Sequence, residues 1–478
     1  MQRETLEIWA RIGVGDRVAQ RGVQWRTGRT YYRGRELFSV ELPTHDEHFP
    51  PFVNINQSEV EDLLEARLGE LDVPVHRGHR LTYTVQDADG VIATFETAAG
   101  AVTHQSAYLA GTDGAHSTAR HAAGIGFPGY TFADRFLIAD IRADLPMSNE
   151  RHFHFDPPWN PGRQVLIHPQ PDGVWRVDWQ VPSETDVDVE RTNGGLDRRI
   201  RAVIGPSTPY GLVWMTGYRF SQRVAETFRD RRVFLVGDAA HVMAPFGARG
   251  LNSGVADAEN LAWKLAAVVQ GQPDRLLDTY EVERRPAALE NLRATHATMR
   301  FMAPHGPWRR AWRNLVLHMA PRNAWVRARV NSGRLAQPAS YAGLPTVASG
   351  PSDPSLPRYG EVAPDVALPG GGRLRERLGR GFAVVLPDGA AVTDSDPIRI
   401  GADTVYGPNR AWLIRPDGYI ADSVPVHMAD EFVRYLAPPP TPDPRLPNDR
   451  PWRNDPEGER QQAQPDEHRR HDPGGGRR

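Results

Sequence analysis

The spacing of apolar residues changes period twice along the chain. Between Glu4 and Val18, Leu6, Ile8, Trp9 and Ile12 recur at helical spacing, and the pattern stops near Gly13 and Gly15. Val60, Leu63, Leu64 and Leu68 predict a second helix over 58–71, with Ser58 as its N-cap and Glu61 completing a capping box. Strands are predicted at 81–85 and 107–111. From 126 to 230 helical periodicity fades and short alternating runs take over, split by Pro, Gly and Asp. Residues 164–168, the turn Pro169-Gln170-Pro171-Asp172-Gly173 and residues 174–181 predict a β-hairpin. In its second arm Trp175, Val177, Trp179 and Val181 alternate with Arg176, Asp178 and Gln180. The continuous apolar run Val233-Phe234-Leu235-Val236 predicts a strand buried on both faces. A helix carrying Leu251, Val255, Ala258, Leu261, Leu265 and Val268 follows and stops at Gly271 and Pro273.

These switches divide the chain into six regions. Residues 1–125 and 231–305 read as two parts of one α/β domain, and 126–230 as an inserted antiparallel sheet. Residues 306–354 are a helical linker. Residues 355–437 form a small α/β domain, with elements at 373–378, 381–386 and 411–414 and a final helix at 428–436. The tail 438–478 holds ten prolines and almost no apolar side chains. It buries too little surface to offset its ordering entropy and is expected to be disordered.

Composition narrows the chemistry. The 478 residues are 40% hydrophobic and 24% charged with net charge −2, which marks neither a nucleic-acid partner nor any polyanion. No apolar run reaches membrane-spanning length, and residues 1–4 open no secretory signal, so the expected compartment is the cytoplasm. Absence of cysteine excludes disulfides, thiolate metal sites and thiol nucleophiles. Lys264 is the one lysine and lies in a helical pattern, so P-loop and Schiff-base chemistry are discounted. His152 and His154 share a strand face without a third ligand at metal spacing, and no metal is expected.

The densest chemical signal is the run 233–252, in which a buried strand ends at Gly237-Asp238. Ligands of open α/β sheets bind at such carboxyl ends, and an Asp there accepts hydrogen bonds from ligand hydroxyls. Gly247 and Gly250 let the backbone approach a flat ligand, while the helix from Leu251-Asn252 directs free N–H groups toward it. His241, inside the run, is a candidate general base.

The run resembles the GD motif of the aromatic-ring hydroxylases, the group A flavoprotein monooxygenases of the para-hydroxybenzoate hydroxylase type. Tyr108–Arg120 is similar to that family's DG motif, which supports the FAD and NAD(P)H pyrophosphates. Asp113 and Gly114 form its turn, Ser117 caps the following helix, and Arg120 is the candidate phosphate fork. Asn54-Ile55-Asn56-Gln57 is similar to a stretch whose Gln contacts the cofactor. Residues 355–437 resemble the thioredoxin-like C-terminal domain of many relatives.

The resemblance implies a three-layer FAD/NAD(P)-binding domain, an inserted antiparallel substrate sheet and a thioredoxin-like domain. It implies hydroxylation of a phenolic or aromatic substrate with O2 and NAD(P)H, through a flavin C4a-hydroperoxide. Cofactor contacts fall on Gln57, Asp113, Gly114, Arg120, Gly237, Asp238, Pro245, Gly247, Gly250, Leu251 and Asn252, with Pro245 beside the flavin. Residues 155–162 and 175–180 look most like the 3-(3-hydroxyphenyl)propionate hydroxylase branch, making His168, Arg176 and Gln180 the substrate candidates. A homodimer follows by analogy only. The family's opening Gly-x-Gly-x-x-Gly unit has no counterpart within residues 1–478; Gly13-Val14-Gly15 follows a helix rather than a strand. Two expectations therefore stand: a late start call in a full enzyme, or a truncated, non-catalytic remnant that binds a small molecule or partner without FAD.

Overall fold

The computed structural model describes residues 1–432 apart from 43–46, 246, 303, 305, 324–325, 327–337, 345, 349–352 and 391–396. The tail expected at 438–478 and the end of the helix expected at 428–436 lie outside the described residues. Among those described, no helix is long and apolar enough to cross a membrane, and no group of three or more His, Cys, Asp or Glu side chains could hold a metal ion.

The first helical pattern forms two helices, Arg3–Arg11 and Gly15–Arg21. Gly13 turns the chain at φ 84°, a left-handed conformation that ends the first helix and lets Val14 begin the second. Leu6, Trp9, Val14 and Val18 then share one buried cluster with Val53 and Val60. The next helix runs Gln57–Glu70, and its cap is Asn56, whose side chain accepts from Ser58 N at 3.3 Å. The expected Ser58–Glu61 capping box is corrected accordingly: with Asn56 already extended and capping, Ser58 lies inside the helix.

The α/β core contains a three-stranded sheet in the order Arg229–Asp230, Val233–Leu235, Leu109–Gly111. The last two strands are parallel, with Leu235 level with Gly111, so both chains leave the sheet at the same edge. Thr112-Asp113-Gly114 and Val236-Gly237-Asp238 are therefore neighbours in space. Behind them pack the helices Arg249–Val269 and Arg275–Met302.

The hairpin expected at 164–181 is present as Gln164–Gln170 paired antiparallel with Val174–Val181. It lies inside an eight-stranded sheet that reaches beyond 126–230. Its order is His241–Val242, Gly211–Val224, Gly129–Arg142, Val174–Val181, Gln164–Gln170, Arg151–Phe155, Thr27–Tyr32, Arg35–Glu41. The sheet is mixed rather than wholly antiparallel, because Arg151–Phe155 runs parallel to Thr27–Tyr32. The Arg33-Gly34 turn, with both residues at positive φ, folds 27–41 into a tight hairpin whose Thr27–Tyr32 arm joins the sheet through that pairing, leaving Arg35–Glu41 as its outer strand.

Residues 360–432 build a separate four-stranded sheet, Ile398–Ile400, Ala383–Pro387, Arg410–Ile414, Ile420–Pro425. A fully buried ionic network ties it to the long helices. Glu283 accepts from Lys264 (2.8 Å), Asn260 (2.7 Å) and both terminal nitrogens of Arg415 (2.6 and 2.8 Å), and Arg415 also binds Asp417 at 2.6 Å.

Candidate active site

The GD loop, residues 237–252, lends His241–Val242 to the edge of the eight-stranded sheet and sets Ala244 against one of its faces. Gly237 sits at φ 60°, a conformation that favours glycine, and a Cβ on Gly254 would lie a tight 3.3 Å from its Cα, so loop and helix approach closely here. Ala244 packs with Phe136, Phe153, Phe155 and Phe220 of the sheet. Pro245 is exposed, and its carbonyl accepts from Ala248 N at 3.0 Å, closing the turn into the Arg249–Val269 helix. That helix begins after Ala248 with no capping side chain, so its amino end faces the loop without a protein acceptor from the cap.

Asp238 is exposed, and among the described residues no group donates a hydrogen bond to it; surrounding protein still pushes its pKa above the ordinary value. The loop around it is held from behind. Asp257, fully buried, accepts from Gly237 N at 3.3 Å, His241 Nε2 at 2.6 Å and Arg284 Nε at 2.7 Å. His241 is itself completely buried by this clamp. Its expected general-base role is corrected to that of a positioning residue, since a ring with no exposed surface meets no substrate.

Arg120 also departs from expectation. Its guanidinium donates to Ala239 O and Ala115 O, both at 2.8 Å, and stacks on Phe127 with 3.9 Å to the ring centroid. It bolts the DG turn to the GD loop from inside instead of pointing a fork outward. The turn itself has the expected form: Ser117 accepts from Arg120 N at 2.9 Å, Asp113 from Ala119 N at 3.0 Å, and Gly114 lies at φ 77°. Gln57 is exposed at the start of its helix. Asn252 accepts from Thr5 Oγ1 (2.6 Å) and Gln2 N (3.1 Å), while the Gln2 amide donates to Gly247 O at 2.9 Å. Gly250 and Leu251 lie in the first turn of the helix.

On the sheet, the three substrate candidates fare differently. Arg176 closes both nitrogens on Asp140, at 2.7 and 2.8 Å. Gln180 donates to Asp134 and accepts from Gln164 N. Both are occupied by protein partners, which corrects their assignment to substrate. His168 remains half free: Nδ1 meets the Asn54 amide at 3.2 Å, while Nε2 is buried without a partner. Burial holds its pKa well below the usual imidazole range. Asp178, which the alternation at 174–181 places on the same face, is pushed up to about 7 by burial, and its Oδ1 is unpartnered. Asp257 and Arg284 escaped the sequence reading because each lies mid-helix, where nothing in the local pattern separates a clamp from a solvated charge.

The family described as FAD binding domain matches residues 1–295. The 12-dehydrotetracycline 5-monooxygenase/anhydrotetracycline 6-monooxygenase of Streptomyces rimosus is 31% identical, over 87% of this chain and 85% of its own. The 3-(3-hydroxy-phenyl)propionate/3-hydroxycinnamic acid hydroxylase of Mycolicibacterium gilvum is 31% identical, over 80% of this chain and 67% of its own. Among solved structures, the flavin-dependent monooxygenase PieE, crystallised with FAD and substrate, shares the fold with TM-score 0.76 and 23% identity, over 91% of each chain. With family, relatives and fold in agreement, the chain belongs to the FAD-dependent aromatic monooxygenases.

Proposed function

We propose that the protein hydroxylates a phenolic or aromatic substrate, using FAD, O2 and NAD(P)H, in the cleft between the GD loop and the sheet. The observation carrying this reading is the packing of Ala244, from the loop, against the aromatic face made by Phe136, Phe153, Phe155 and Phe220. A ligand held on the exposed side of the loop, at Asp238 and Pro245, would border this apolar, water-poor packing.

The residues present fit the flavin half of FAD. Asp238 offers an unpaired acceptor for a hydroxyl of the ribityl chain, and the amino end of the Arg249–Val269 helix suits an electron-rich ring edge. Gly247, Gly250, Leu251 and Asn252 would border that edge, with Pro245 at the ring face and Gln57, Asp113 and Gly114 toward the rest of the cofactor. Bound FAD would supply the redox chemistry, taking electrons from NAD(P)H and passing one oxygen atom of O2 to the aromatic ring. The chain's own share is to hold the loop through Asp257, His241 and Arg284, orient the substrate on the sheet and exclude water. Residues 355–437 would serve as a structural domain of thioredoxin-like type.

The test is NAD(P)H oxidation by the FAD-supplemented protein across a panel of phenols and aromatic acids. Stimulation by a subset, with matching hydroxylated product, supports the reading. Absence of both FAD binding and stimulation overturns it in favour of a non-catalytic binding protein.

A further inference from the structure

The net charge of −2 conceals an uneven distribution. Residues 291–352 hold nine arginines and neither an aspartate nor a glutamate. Arg293, Arg300, Arg309, Arg310 and Arg322 of this stretch are exposed, and none of them forms an ion pair among the described residues. The Pro307–Met319 helix lies within it. The inward side of that helix is accounted for. Leu317 and the following Ala320 pack among Phe153, Phe155, Met299 and Met302, and the buried Arg313 donates to Met302 O at 3.2 Å.

The outward side is apolar, where a surface helix normally presents polar residues. Trp308, Trp312, Leu315 and Met319 follow one another at intervals of four, three and four. That spacing sets them in one stripe about 16 Å long. They are 87%, 60%, 58% and 45% exposed, and Trp308 is the most exposed large apolar side chain among the described residues. One exposed apolar residue is ordinary, whereas a contiguous line of them marks a contact surface. Trp312 is held in place from within, its ring edge-on to Phe301 with centroids 6.2 Å apart.

Three kinds of occupant suit such a face, and charge separates them. Isologous pairing of two copies sets one basic surface against its own image, which repels. Nucleic acid satisfies the arginines and stacks on indole, but it leaves Leu315 and Met319 unmatched. An anionic bilayer meets both parts. Indole and aliphatic side chains enter the boundary between headgroups and acyl chains, while neighbouring arginines reach the phosphates. No spanning segment is needed, because the opposite side of the helix stays in the protein core.

We propose that the Pro307–Met319 helix seats the protein on a membrane surface rich in anionic phospholipid. Trp308, Trp312, Leu315 and Met319 enter the interface, and Arg309 and Arg322, at either end of the stripe, bind headgroup phosphates. Such seating is independent of which substrate the cleft takes.

The test is co-sedimentation of the full chain with vesicles of phosphatidylglycerol and phosphatidylcholine in equal parts, and with vesicles of phosphatidylcholine alone. The mixed vesicles are expected to bind about tenfold or more tightly than the neutral ones, a preference that shrinks as salt is raised. Trp308→Ser combined with Leu315→Ser abolishes binding at an unchanged Tm, since both side chains are already exposed in the free protein. Arg309→Gln combined with Arg322→Gln weakens binding to the mixed vesicles about tenfold or more and leaves the neutral ones unaffected. Binding indifferent to lipid charge, or binding kept by the Trp308→Ser, Leu315→Ser protein, overturns the assignment. Absence of vesicle binding overturns it as well. In that event a dimer in sedimentation velocity, lost in the same double variant, identifies a second copy as the occupant, and binding of single-stranded RNA identifies nucleic acid.

Discussion

Asp178 and Asp238 both have raised pKa values, Asp178 through full burial and Asp238 through partial desolvation by the protein around it, with different consequences. Asp178 titrates at about 7 in the folded protein and at about 4 in an unfolded chain. The folded state holds the extra proton between those values, so this group's contribution to stability falls as pH rises from about 4 to about 7 and is level above. The charges around it, Arg176, Asp140, Arg151 and His168, set the upper limit but not the sign. Asp178→Asn is expected to flatten the fall in Tm across that window, and a Tm profile identical to the parent's would refute it. Asp238 is exposed, and in the proposed reading its consequence is for cofactor binding instead. Asp238→Ala is expected to weaken FAD roughly tenfold or more, the loss of one charged hydrogen bond, read by quenching of flavin fluorescence during titration. Sequence position alone picked out Asp238, because a strand end followed by Gly-Asp is a local signal. It could not show that Arg176 is spent on Asp140, since which arginine finds a carboxylate is settled by strands distant in sequence.

Elements meet at the cofactor loop through two contacts that tolerate little change. At the Gly237–Gly254 approach a Cβ on Gly254 already lies 3.3 Å from backbone, and the branches of a larger side chain add to that crowding. Gly254→Val should push the loop off the Arg249–Val269 helix and abolish measurable FAD binding while the far-UV circular dichroism is retained; normal FAD affinity would show the approach to be incidental. The DG turn depends on its cap, where Ser117, fully buried, accepts from Arg120 N. Ser117→Ala is expected to cost about 1 kcal/mol, seen as a lowered Tm. Most elements were legible in the periodicity, the 164–181 hairpin and the long helix after Gly237 among them. The mixed character of the large sheet was not, because a parallel neighbour for 151–155 comes from residues 27–32, over a hundred positions away.

At the scale of the whole molecule, the network around Glu283 joins the C-terminal sheet to the helices that back the cofactor loop. Attraction from Arg415 and Lys264 holds the Glu283 carboxyl well below the usual range, against the opposing effect of its burial, while desolvation brings Lys264 down to about 8. Charges this deep are costly unless all are matched. Arg415→Met leaves Asp417 and part of Glu283 uncompensated, an expected loss of roughly 3–5 kcal/mol, with residues 360–432 becoming the first site of limited proteolysis. An unaltered Tm would mean the network is neutral overall.

What the chain's own pattern determined is local: the helices and hairpins, the Gly-Asp strand end, the capped Asp-Gly turn, and through them the likeness to flavin-dependent hydroxylases. Each depends on residues within a turn or two of one another, so its physics is written in the order of amino acids. Tertiary structure alone decided which polar groups are consumed and which are left unmet. Arg120, Arg176, Gln180 and His241 look available in sequence and are taken by protein partners, while Gln164 looks ordinary and keeps a buried amide without a hydrogen-bond partner among the described residues. Hydrogen-bond and charge compensation depend on what burial brings within about 3 Å, and no local pattern carries that information.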